Sequence, residues 1–478
     1  MSDTPVSMLK ARNPRTGEYD FRFETAGTAE VAAAGQRLRA GQPDWAALPV
    51  EARGERLLHF AEVMLDHRAA LSAALETDTG RRRVAGLEID GLAASIRNWA
   101  SQAPGLATGG WVAGRSNPAI RHAPQFIPYP LVGVISPWNF PLTLSMIDTV
   151  PALLAGCSVL IKPSEVTSRF AGPLQDAVRA AGLDQQLGFV LGGAETGTAL
   201  IGACDAVCFT GSVATGRKVA VAAAGRMIPA FLELGGKDPM IVLASSDLEA
   251  ATDAALRASV LSTGQACQSI ERIYVQRPLY EAFLRRLTQK AEAVRLNWPD
   301  IMSGDIGPII FERQAGILAH HISDAVDKGA AVHTGGSLEH HGGGLWLRPT
   351  VLSGVDHSML VMSEETFGPI LPVMAFDTEE EAIDLANQSE YGLSAAVFAG
   401  TLEEAERVGR RLEAGAISLN DAALTGLFHE AEKQSFKLSG MGGSRMGAAG
   451  YQRFLRRKAL IANTARPAPL AAFSEDAP

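Results

Sequence analysis

Cysteine is scarce in this 478-residue chain, with Cys157, Cys204, Cys208 and Cys267 making up the full set of four. Four are too few for a disulfide framework, so a reducing compartment and cytoplasmic residence are expected. Long apolar runs are also missing. Stretches such as Met146–Leu154 carry an acidic residue and fall short of the roughly 20 residues that span a bilayer, so no membrane partner is expected. The opening MSDTPVSMLKARNPRTGEYD lacks the apolar core of a signal peptide. Basic charge is in deficit, 43 Lys+Arg against 52 Asp+Glu for a net −9, which argues against nucleic acid as a general partner. Aromatics are few at 6%, whereas glycine is plentiful at 48, the mark of tight turns and close backbone approaches. At roughly 150 residues per domain, the length suggests about three structural units.

The centre of the chain alternates short apolar runs with amphipathic segments. Residues 131–136, 158–162, 187–191 and 206–210 read as buried strands, with helices over 168–182 and 214–224. That alternation indicates βαβ units and a parallel sheet. A second series follows, with helices at 247–262, 278–296, 311–328, 378–388 and 402–413. Strand-like runs at 272–275, 370–374, 395–398 and 416–419 are interleaved with them. A helical segment over 52–78, ending near Gly80, precedes both series.

Cys267 lies in STGQACQ, after one helical run and before a strand. A loop cysteine near helix ends can have its thiol pKa lowered and act as a nucleophile. A lone cysteine is more often a small buried hydrophobe, and position alone leaves both readings open. The other three sit in apolar strand or helix patterns and read as packing. Cys204 and Cys208 have no histidine close in sequence, so no metal site is expected. Glu233 stands between Leu232 and Leu234 at a strand end, before Gly235 and Gly236. Buried without a partner, its carboxylate would titrate near neutrality and suit a general base. Asn139, in PWNFP directly after a strand, is placed where an amide can serve a developing oxyanion, although the motif alone reads equally as an ordinary turn asparagine. The FTGS turn, with Gly211 and Ser212, runs from a strand into a helix but lacks a strict G-x-G-x-x-G pattern.

Six motifs occur in order: PWNFP at 137, KPSE at 162, FTGS at 209, LELGGK at 232, GQAC at 264 and EETFGP at 364. In this the chain resembles the aldehyde dehydrogenase superfamily over roughly residues 10–465. The resemblance implies an α/β fold with a Rossmann-type cofactor domain, an α/β catalytic domain and a β oligomerisation arm. The cofactor domain would span 1–112 and 131–235, the catalytic domain 236–450, and the arm 113–130 and 451–466 with a strand near Leu460–Thr464; 467–478 would be a flexible tail. The resemblance also implies roles. Cys267 would be the nucleophile, Asn139 the oxyanion donor, and Glu233 the base that hydrolyses a thioester. Lys162, Ser164, Glu165, Gly211, Ser212, Trp138, Glu365 and Phe367 would contact NAD, or NADP, with Glu165 favouring NAD. A homodimer or homotetramer is implied.

The chain departs from the family near its C-terminus. A usual glycine pair is replaced in KQSFKLSG at 433–440, and 421–436 is unlike the usual tunnel segment. Asp148 and Arg445 stand where the family often carries lysine and glutamate, which suggests a charge-swapped ion pair. The substrate tunnel would be lined by Phe140, Leu144, Ile147, Leu424 and Phe428. Without a fixed cation, that lining favours hydrophobic or aromatic aldehydes over carboxylate semialdehydes, while His429 and Glu430 could read a hydroxyl. Two rival readings are a CoA-acylating aldehyde dehydrogenase, against which Glu233 argues, and a non-catalytic binding or structural relative.

Overall fold

The computed structural model describes residues 7–475; the very start of the chain and the last three residues of the expected tail lie outside the described residues. Two open α/β sheets follow one another along the chain. In the first, Ala230–Glu233, Ala206–Thr210, Leu131–Ile135, Ser158–Lys162 and Leu187–Phe189 run parallel in that spatial order. A short strand from far downstream, Gly440–Met441, adds antiparallel beside Ala230–Glu233. The four expected strands of this sheet are all present, and their continuous apolar character matches burial on both faces. Strand order reverses at Leu131–Ile135, which opens a crevice at the carboxyl ends of the strands, the usual ligand position in such sheets.

The expected helix over 52–78 is two helices, Val50–Asp66 and Arg68–Thr79. Gly80 ends the second with φ +65°, and a Cβ there would lie 2.4 Å from the Pro308 ring. Two long helices, Thr28–Ala47 and Arg82–Gln102, were not expected. Gly35, Gly41 and Pro43 interrupt the pattern of the first, yet Val31, Leu38 and Trp45 are buried and hold it to the sheet.

The second sheet has seven strands, in the order Ala331–Thr334, Thr350–Ser353, Ile370–Phe376, Ile270–Gln276, Asp238–Val242, Ser394–Phe398 and Ala416–Leu419. All neighbours are parallel except the first pair. Its helices, Leu248–Val260, Arg277–Glu292, Glu312–Asp327, Glu379–Asn387 and Leu402–Gly409, fall where periodicity puts them. A third sheet joins Ile120–Pro128 to Leu455–Asn463 across nine residue pairs, with Val112–Ala113 on the outer edge. Its C-terminal strand begins earlier than expected and stays largely exposed, Ile461 at 70%.

Candidate active site

The Leu131–Ile135 strand ends in the PWNFP turn, and Pro141 opens the short helix Pro141–Met146. Asn139 is buried, and its Nδ2 donates to the Gln265 carbonyl at 3.0 Å. Two buried groups absent from the sequence reading hold this turn. Arg81 donates to the Asn139 carbonyl and lies over the Phe140 ring at 5.0 Å, while Glu88 accepts from the Thr143 N–H at 2.9 Å. Neither carries a local signal, because each acts on a segment more than fifty residues away.

Cys267 follows the helix Leu248–Val260 through a turn that is left-handed at three successive residues: Ser262 (φ 58°), Thr263 (φ 61°) and Gly264 (φ 66°). A β-branched residue there is strained and must be held by its surroundings. Thr263 Oγ1 donates to the Gly307 carbonyl at 2.9 Å, and the Gln265 side chain bonds the main chain at Ser262, Pro308 and Ile310. A Cβ on Gly264 would come within 2.3 Å of Gly368, so the GQAC and EETFGP motifs touch backbone to backbone. The half-buried Cys267 thiol is not lowered, contrary to the expectation for a loop cysteine near helix ends. Burial pushes it up to about 11, and Lys433 pulls in the opposite direction. Cys157, Cys204 and Cys208 are buried, and burial raises the thiols of Cys157 and Cys204 to about 12 and 11.

Glu233 closes the strand Ala230–Glu233 and is buried, but not partnerless. Lys433 Nζ and Ser435 Oγ each donate to its Oε2 at 3.0 Å. Burial alone would raise this carboxyl; Lys433, Arg445 and the two hydrogen bonds outweigh it and hold the pKa below the ordinary value. The near-neutral base expected of an unpartnered glutamate is therefore not what the resting structure contains. The loop that follows this strand approaches Cys267, since a Cβ on Gly236 would lie 2.7 Å from the Cys267 carbonyl oxygen. The expected Asp148–Arg445 pair is present, with Arg445 Nη2 at 2.9 Å from Asp148 Oδ2. Arg453, unforeseen, takes the other carboxylate oxygen. Burial pushes Asp148 up, but the two guanidiniums hold its pKa below the carboxylate norm.

Of the groups expected to meet a dinucleotide, Trp138, Lys162, Ser164, Glu165, Gly211 and Ser212 lie at or just past the carboxyl ends of strands in the first sheet, and Glu365 and Phe367 lie in the EETFGP turn. Lys162 Nζ sits 2.9 Å from Glu165 Oε2, with Lys162 and Ser164 buried and Glu165 half exposed. Ser212 caps the helix Val213–Gly225, leaving that helix's N-terminus at the end of the Ala206–Thr210 strand beside Gly211. Trp138 and Phe367 meet edge to face at 5.3 Å. Glu365 accepts from the Gly236 N–H at 3.1 Å; burial, with Glu271 near, raises it to about 8. A Cβ on Gly235 would fall 2.4 Å from its Oε2, so only glycine lets that carboxyl lie there. Glu271, unnoticed in sequence, accepts from the N–H groups of Thr366 and Phe367 and from buried Lys237, fixing the EETFGP turn.

A profile of the aldehyde dehydrogenase family matches residues 2–460. The chain belongs to that family. A solved structure from Anabaena variabilis, assigned as an aldehyde dehydrogenase, is 53% identical, covers 97% of this chain and 99% of its own, and superposes with a TM-score of 0.95. Lactaldehyde dehydrogenase from Escherichia coli shares 31% identity over 96% of each chain, at TM-score 0.91. A Mycolicibacterium smegmatis protein assigned as an NADP(+) succinate-semialdehyde dehydrogenase is 37% identical, over 94% of this chain and 89% of its own length.

In this aldehyde dehydrogenase a cavity of about 580 Å³ opens beside the Cys267 loop, lined by Ala266, Gln268 and Ser269 among others. Phe140, Ile147 and Phe428 line it as expected, together with His429 and Glu430. Leu144 and Leu424 are half-buried and stand outside the lining, where Leu427 and Leu261 appear instead. Helix spacing misleads here: the face Leu144 presents is not that of Phe140, Thr143 and Ile147. The expected lack of a cation also needs correction. Arg257 and Arg445 reach the cavity, each already paired, with Asp421 and Asp148.

Proposed function

We propose that the enzyme oxidises a hydrophobic or aromatic aldehyde to its carboxylic acid, with NAD as the favoured cofactor. The stitching of Asn139 to the Cys267 loop at the edge of an apolar-walled cavity, with Lys433 and Arg445 acting on both Cys267 and Glu233, carries this reading. The Cys267 thiolate adds to the aldehyde carbon, and the oxygen that gains charge is met by the Asn139 amide and the Cys267 N–H. The Lys162–Glu165 pair, the Ser212-capped helix end and Glu365 form a donor set that fits a dinucleotide. When bound, it supplies the hydride acceptor. Glu233 deprotonates the water that cleaves the acyl–sulfur bond, releasing the acid and restoring the thiolate.

Half-exposed Glu165 would repel a 2′-phosphate, which supports NAD over NADP. With both cavity arginines paired to aspartates, no free cation remains among the described lining residues for a distal carboxylate. We infer a homodimer or homotetramer from the exposed apolar edge of the third sheet, Leu460 and Ile461; sedimentation would read the assembly. The deciding experiment ranks aldehydes by kcat/KM with NAD and NADP in parallel. A strong preference for succinate semialdehyde overturns the apolar reading, and acyl-CoA formation in the presence of CoA overturns the hydrolytic one. Loss of NAD reduction in a folded Cys267→Ala protein separates the enzyme from a non-catalytic relative, and a variant that still reduces NAD would remove Cys267 as the nucleophile.

A further inference from the structure

Lys433 is an unusual occupant of this site. The segment 421–436 around it is irregular and mostly exposed, yet the Lys433 side chain is 9% exposed and reaches Glu233, whose side chain is 11% exposed. The chain then continues into Gly440–Met441, which pairs with Leu232 and Glu233, and Leu234 N–H donates to the Ser439 carbonyl at 2.9 Å. Lys433 Nζ also donates to Ser435 Oγ at 3.0 Å, closing a three-membered cluster on one carboxylate oxygen. In sequence this stretch stands out only by its lost glycine pair, where Gln434 and Ser435 now follow Lys433; in the fold, the Lys433 cation and the Ser435 hydroxyl meet on Glu233.

We propose that Lys433 is a positioning residue for the hydrolytic half-reaction: with Ser435 it fixes Oε2 of Glu233 and keeps that carboxylate ionised where it must accept a proton from water. This rests on the reading of Cys267 and Glu233 as nucleophile and base. A buried carboxyl without a cation drifts upward, and an opposite charge within contact range lowers it by about 1–3 pH units. Other groups face the same spot. Arg445 is committed to Asp148 and Thr210, and Arg453 holds the other oxygen of Asp148. The Cys267 thiol lies beyond, with Glu365 and Asp238 acting on it. None of these donates a hydrogen bond to Glu233; Lys433 and Ser435 do. The clamp has a cost in basicity, since an acid of low pKa is a weak proton acceptor. The enzyme would therefore hydrolyse over a wide pH range, at a moderate rate.

The test uses p-nitrophenyl acetate, which acylates a thiolate without any cofactor. The thiolate displaces p-nitrophenolate, giving a burst that reports acylation; water then cleaves the acyl–sulfur bond in the steady phase. For Lys433→Met, the acid limb of the steady phase is expected to move up by about one pH unit or more, with the burst retained. Lys433→Arg should restore most of the wild-type limb, and Ser435→Ala should shift it in the same direction by less. An unmoved limb in Lys433→Met, or burst and steady phase falling together, overturns the proposal. Should Lys433→Met fail to fold, Ser435→Ala and Lys433→Arg decide alone, and an unmoved limb in Ser435→Ala counts against the clamp. Glu233→Gln separates the two levels. If it hydrolyses normally, the assignment of the base fails; if it stalls after the burst while Lys433→Met behaves as wild type, only the clamp fails.

Discussion

The Asn139 amide nitrogen and the Gln265 carbonyl oxygen lie 3.0 Å apart, so the end of one sheet's central strand is stitched to the loop that carries Cys267, the proposed nucleophile. One N–H of that amide is used in the stitch, and the other remains for substrate. Asn139→Ala should therefore lower kcat by roughly 100- to 1000-fold, the loss that follows removal of a single oxyanion donor. Steady-state kinetics on a reactive aldehyde would show it, and a fall of less than tenfold would relieve Asn139 of the role.

Asp148 offers a stability test. Its two oxygens are shared between Arg445 and Arg453, and all three side chains are buried. Asp148→Ala leaves two cations facing each other without a counter-charge, which should cost about 3–5 kcal/mol in denaturant unfolding. Because Arg453 also depends on Asp148, exchanging Asp148 and Arg445 should not recover the loss.

Two buried acids predict a pH dependence of stability. Burial raises Glu88 from 4.5 and Asp238 from 3.8, each to about 7. Between those values the folded state keeps protons that the unfolded chain has released, so this contribution is full below about pH 4 and is lost as pH rises to 7. The melting temperature should show that decline, and Asp238→Asn should flatten it. An identical slope in the variant would remove Asp238 from the account.

Cofactor preference should turn on Glu165. Glu165→Ala removes the like charge facing a 2′-phosphate, and the NADP-to-NAD ratio of kcat/KM should rise on the order of tenfold. An unchanged ratio would move the discrimination elsewhere in the crevice.

Four strands of the first sheet and four of the second were legible because a short, continuous apolar run between amphipathic segments is satisfied by a strand covered on both faces, whereas Asp238–Val242, Ala331–Thr334 and Thr350–Ser353 were not expected. Ser158–Lys162 and Ala206–Thr210 were bounded to the residue. Thr28–Ala47 was not, because its glycines and proline break the period, and burial of Leu38 and Trp45 supplies what the local sequence withholds. At the site, residues inside motifs could be read from their neighbours. Arg81, Glu88, Glu271 and Lys433 could not, since each reaches a partner that only the tertiary fold brings near. The titration of Glu233 is hidden from the sequence for the same reason: its environment is set by a lysine 200 positions away.

The pairing of Gly440–Met441 with Leu232 and Glu233 also bears on how the molecule is made. A ribosome delivers the strand Ala230–Glu233 and the Cys267 loop long before the segment that flanks them. Until that segment arrives, the strand presents a bare hydrogen-bonding margin, open to mispairing with other nascent chains. A truncated product would thus be sticky, and Cys267 gains its Lys433 and Arg445 neighbours only in a nearly finished polypeptide.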